Sequence, residues 1–128
     1  MLLYRIWDVE GKTRNDGLGD YREHFDGVWD ICATRLSNPR FTDLILIHEF
    51  IETILIRAAG IPEPDIDAFD AQFEELRGQG FIDNDAEPGD DQNAPYYQAH
   101  QIATRIEKIA CEALGLSWTD YEKECENV

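Results

Sequence analysis

Apolar residues change their spacing several times along this 128-residue chain, and each change predicts a different element. Leu2 to Val9 alternates loosely and is rich in Leu, Tyr, Ile, Trp and Val, the pattern of a strand. Val28 to Leu36 (VWDICATRL) is β-branched and aromatic enough for a second strand, ending at Ser37-Asn38-Pro39. Gly11 to Asp20 holds a run of turn formers (Gly11, Asn15-Asp16-Gly17, Gly19), so the stretch between the two strands is either a third strand or a loop.

From Arg40 to Ala59 the spacing turns helical and stops at Gly60, followed by Ile61-Pro62. Pro64-Asp65 opens a second helix, on which Ile66, Phe69, Phe73 and Leu76 share one face before Gly78. Residues 81–94 (FIDNDAEPGDDQNA) form an acidic, turn-rich loop. A third helix starts after Pro95 and runs to Leu114-Gly115. Ser117, with Asp120 three residues on, caps a last short helix. The expected fold is α+β, a small N-terminal antiparallel sheet followed by three to four helices, in a single domain spanning residues 1–128.

Charge narrows the partners. Twenty-seven Asp and Glu face 11 Lys and Arg, a formal net charge of −16. Nucleic-acid phosphates and anionic membrane surfaces need the opposite sign, so neither is an expected partner. Cationic proteins, metal ions and neutral small molecules remain. The longest apolar stretch, Leu44 to Ile56, is cut by His48, Glu49 and Glu52, too short for the ~20 residues of a membrane span. The first residues lack the basic and apolar regions of a signal peptide, and Cys32, Cys111 and Cys125 are odd in number and scattered. Together these features predict a cytoplasmic protein with reduced thiols.

The chemistry concentrates on the first long helix. It is apolar nearly all round, which predicts burial. With about 100° per residue, Glu52 lies about 40° from His48, among Phe41, Leu44, Ile45, Leu55 and Ile56. A buried carboxylate must be paired, protonated or bound to a metal. Two readings follow: His48 and Glu52 bond each other or an arginine such as Arg35 or Arg57, or they ligate one ion from adjacent turns. On the third helix His100 and Glu107 lie on one side, two turns and about 10 Å apart, so one would ligate while the other orients.

The candidate site is therefore a divalent metal, zinc first, held by His48, Glu52 and His100 with an open water position. Glu49 would take the water's proton, and Asp70 or Glu107 would be a fourth ligand or a supporting partner. Asp83-Asn84-Asp85-Ala86-Glu87 lacks the glycine and terminal Glu of a calcium loop. Tyr96-Tyr97 reads as core packing, with Tyr97 the candidate hydrogen-bond donor of the pair.

The run RLSNPR, HEFIE, IDAFDAQFEE, EPGDDQNAPYYQAHQIATRIE and LGLSWTDYE resembles a family of small hypothetical proteins met in bacteriophage and prophage genomes, over roughly residues 28–122. That resemblance implies a phage-associated setting in the host cytoplasm, with no assigned activity. More distantly, HExxE behind strands is similar to the HExxH helix of zincin metallopeptidases. The likeness implies a zincin-like fold, His48 as a ligand, Glu49 as base, and hydrolysis of peptide or amide bonds. Glu52 stands where that pattern has His, which shifts the metal preference toward manganese or iron.

Two other functions stay open. Residues 63–91 hold eleven acids and one base, Arg77, a net −10 that would steer a basic host protein, as a nucleic-acid mimic does. Alternatively, the His/Glu cluster of a virion or structural protein holds its metal without turnover. The helix face around Ile47, Ile51 and Ile54 meets either the sheet or another subunit.

Overall fold

The computed structural model describes residues 3–128. Leu2, the first residue of the expected N-terminal strand, lies outside the described residues. Three strands are present: β1 (Leu3–Val9), β2 (Gly19–Glu23) and β3 (Val28–Thr34). Four helices follow: α1 (Pro39–Ala58), α2 (Glu63–Gly78), α3 (Tyr97–Ala113) and α4 (Trp118–Glu126). The α+β expectation is met, and among the described residues no helix is long and apolar enough to cross a membrane.

The sheet is mixed, which corrects the antiparallel expectation. Its order is β1-β3-β2, with β1 parallel to β3 and β2 antiparallel to it. The stretch left open in the sequence is the cause. A hairpin of β1 and β3 alone would be antiparallel; the extra strand β2 adds one chain reversal, so β3 leaves in the direction β1 took. The β2–β3 turn closes where Gly27 adopts φ +82°, a conformation glycine takes without strain.

Helix boundaries follow local chemistry. Asn38 caps α1 by accepting from the Arg40 N–H at 3.0 Å, with Pro39 as the first helical residue. At the far end the Gly60 N–H reaches Arg57 O and the Ile61 N–H reaches Ile56 O. This is the glycine-terminated ending the sequence predicts. Ser117 caps α4 through the Asp120 N–H. Trp29, Ile31 and Ala33 of β3 face α1, whose Leu44 and Ile56 are fully buried, and α3 packs on the other side of α1. The helix α1 is thus held between sheet and helix, which is why four of its polar residues, Thr42, His48, Glu52 and Thr53, are buried. Cys32, Cys111 and Cys125 are free thiols.

Candidate metal centre

Helix α1 presents His48 and Glu52 one turn apart toward α3, which presents His100 at their level. His48 Nε2, His100 Nδ1 and Glu52 Oε2 form a nearly equilateral triangle: 3.0 Å from His48 to Glu52, 3.1 Å from His100 to Glu52, and 3.2 Å between the ring nitrogens. The residues are only 8%, 4% and 8% exposed for His48, Glu52 and His100. Tetrahedral zinc, with ligands at about 2.0–2.1 Å, keeps its donor atoms about 3.3 Å apart. The triangle matches that spacing to within a few tenths of an ångström, so the cluster could hold a metal ion.

Each donor is fixed from behind. His48 Nδ1 faces Glu107 Oε1 at 2.7 Å, and Glu107 Oε2 accepts from the Tyr121 hydroxyl at 2.5 Å. Glu52 Oε1 accepts from the Tyr21 hydroxyl of β2 at 2.8 Å. His100 Nε2 stands 3.4 Å from both Glu87 and Asp90, carried by a 3-10 turn at Pro88–Asp90. The Gly89 backbone lies flat against the His100 ring, where a Cβ would come within 2.5 Å of Cγ and Nδ1. With Nδ1 of His48 and Nε2 of His100 engaged by carboxylates, the opposite ring nitrogens are left to ligate.

Electrostatics draws positive charge into the triangle. Burial opposes protonation of His48, but the Glu107 and Glu52 carboxylates outweigh it and raise it to about 11. His100 is likewise raised to about 10, by Glu52 and Glu87 against burial. Burial pushes Glu52 up, yet its bonds to His100 and His48 win and hold it down at about 2. Protons satisfy this demand poorly, since two imidazolium N–H groups would converge on one oxygen with their nitrogens 3.2 Å apart. A divalent ion supplies the same charge from a single point.

The expected residues divide as follows. His48, Glu52 and His100 come together. His48 and Glu52 do bond each other, but neither expected arginine joins them: Arg35 pairs with Asp8 and Glu10, and Arg57 bonds the Tyr4 hydroxyl. Glu107 bonds His48 across the helix pair rather than His100 on its own helix. Asp70 is one step removed, accepting from the Tyr96 hydroxyl at 2.5 Å. That makes Tyr96, not Tyr97, the donor of the tyrosine pair. Glu49 takes no part in the cluster's hydrogen bonds. It lies half-buried against β2, its carboxylate 2.6 Å from where a Gly19 Cβ would be. Burial and Glu52 push it up to about 8.

Sequence reasoning missed Tyr21, Tyr121, Glu87 and Asp90. Glu87 and Asp90 sit in a segment that reads as a solvated acidic loop, and the residues are indeed exposed. Only the docking of Gly89 on His100 brings them to the site.

No protein-family model, curated protein or solved structure gave a significant match to this chain.

Proposed function

We propose that this protein binds one divalent transition-metal ion, zinc first and manganese or iron next, through His48 Nε2, His100 Nδ1 and Glu52 Oε2. The convergence of three donor atoms carries this reading, with His48 and Glu52 each fixed by a further hydrogen bond and His100 by the Glu87 and Asp90 carboxylates 3.4 Å from its Nε2. A three-ligand set leaves a position for water, whose pKa an ion lowers toward about 7. Glu49, next to His48 on α1 and raised to about 8, is the proton carrier of such a centre. The activity this arrangement supports is zincin-type hydrolysis of a peptide or amide bond, in a phage-derived protein acting in the host cytoplasm.

Elemental mass spectrometry tests the proposal, on untagged protein purified without chelators. About one ion per chain is expected, lost in His48→Ala, Glu52→Ala and His100→Ala. No metal after reconstitution with zinc or manganese overturns the reading. Peptidase assays on the loaded protein then separate two roles. Turnover that falls about 100-fold or more in Glu49→Gln, with metal retained, establishes the base. A retained ion with no turnover makes it a staple between α1 and α3.

The acidic face favours a second reading, a non-enzymatic phage effector that binds a basic host protein. Asp65, Glu75, Asp83 and Asp85 are exposed, and the one base of the run, Arg77, is engaged by the Asn84 and Ala86 carbonyls and by Glu74. A pull-down at low salt that returns no basic protein removes it.

A further inference from the structure

The helical layer does not cover the whole sheet. Helix α1 packs on β3 and β2, while β1 is a terminal strand whose outer edge pairs with no other described strand. Register puts Tyr4, Ile6 and Asp8 on the face of Trp29, Ile31 and Ala33, the helix side, and Leu3, Arg5 and Trp7 on the other. Ile31, beside Ile6, is fully buried, yet Ile6 is 51% exposed. Across the strand Leu3 and Trp7 are 51% and 50% exposed. A seven-residue strand open at its edge, with apolar side chains exposed on both faces, is what natural sheets avoid unless something covers it.

The apolar surface continues onto α1. Phe50 packs edge-on against Tyr4 with ring centroids 5.0 Å apart, which fixes that side of α1 above β1. Ile47 and Ile54 follow Phe50 round the helix, away from α3, with Ile47 half-buried and Ile54 38% exposed. The stripe left open between sheet and subunit in the sequence thus borders the uncovered strand.

We infer that β1 pairs antiparallel with β1 of a second copy, about a two-fold axis at Ile6, to give one continuous six-stranded sheet. Charge selects this occupant. A chain of net −16 repels its own copies everywhere except where acids are scarce. Leu3 to Trp7 contains no acid and one arginine, and the only acids among residues 44–58, Glu49 and Glu52, point into the protein. The one acid of β1, Asp8, is held by Arg35, and Arg5 is held by Asp30, so a basic partner would find no unpaired acid on this strand. The symmetric register sets Ile6 on its own mate, Arg5 across from the mate's Trp7, Leu3 across from Val9 and Tyr4 across from Asp8. No pair joins like charges, and Arg5 meets an indole face. Because the axis is perpendicular to the sheet, both α1 helices stay on one side. Their Ile47, Phe50 and Ile54 stripes then flank the Ile6 pair, extending the contact toward the roughly 800 Å² per partner of a stable interface.

Sedimentation velocity at about 100 µM chain in about 0.5 M NaCl, where charge repulsion is screened, tests this. The expected species has twice the 14.7 kDa chain mass. Ile6→Lys and Trp7→Lys, each checked for native circular dichroism, are expected to raise the dimer dissociation constant at least about tenfold. Ile109→Lys, at a 66% exposed site on α3, is expected to leave it unchanged. A monomer under these conditions overturns the inference, whatever other chain proves to cover β1. So does a dimer that survives both strand variants, or one that Ile109→Lys weakens equally.

Discussion

At His48 the two ring nitrogens have different neighbours: Glu107 holds Nδ1, and Nε2 turns to Glu52 and His100. That division rests on one carboxylate, which Tyr121 in turn holds. Glu107→Gln is expected to weaken zinc affinity about 10–100-fold while leaving one ion per chain at saturation, as loss of a ligand's supporting partner does. Competition with a chromophoric chelator measures it, and an unchanged affinity removes Glu107 from the site. Asp70 has a different prediction. Burial raises it, the Tyr96 hydroxyl lowers it, and Glu52 raises it again, to about 6. A folded carboxyl raised above its unfolded value of 3.8 keeps a proton that the unfolded chain has lost. Stability therefore falls as pH rises from about 4 to about 6, and stays at the lower level above that. Asp70→Asn keeps an acceptor for Tyr96 and removes this penalty. Its urea midpoint is expected to exceed the parent's at pH 7 and to equal it near pH 4; equal gains at both values would refute the charge explanation.

Glycine positions connect the elements to the site. Gly89 brings the Pro88–Asp90 turn onto the His100 ring, so Gly89→Ala must move that turn and with it Glu87 and Asp90. The expected result is a lower Tm and weaker metal binding. Gly78, the last residue of α2, has nothing within 4 Å of its added Cβ, and Gly78→Ala is expected to be neutral or slightly stabilising. Calorimetry and a zinc titration on both variants check the contrast. Element by element, much was legible. Helical spacing located α1, α2 and α3, and Gly60 and Ser117 marked ends through local hydrogen bonds. The strand β2 was not legible. Its apolar content is a single buried residue, Tyr21, between Asp20 and Arg22, and its pairing comes from β3 rather than from its own pattern.

The whole molecule carries its charge unevenly, with Arg14 bridging Asp20, Glu63 and Asp67 while most other acids stay unpaired at the surface. Self-repulsion at −16 destabilises the compact state, and salt screens it. Raising NaCl from about 10 to about 300 mM is expected to raise the Tm of the metal-free protein; a flat or falling Tm would show that local pairs, not net charge, dominate. Periodicity and composition by themselves determined the helices, the net charge, and the side of α1 on which His48 and Glu52 share neighbours. These are properties of one segment at a time, set by a repeat of 3.6 residues and by the cost of burying charge. Tertiary structure alone decided the rest. Inserting β2 turned an expected antiparallel sheet into a mixed one. The packing of α3 on α1 gave Glu107 to His48, and the docking of a surface turn gave Glu87 and Asp90 to His100. Such contacts join residues 10 to 59 positions apart, and their geometry follows from how whole elements pack, which no single segment encodes.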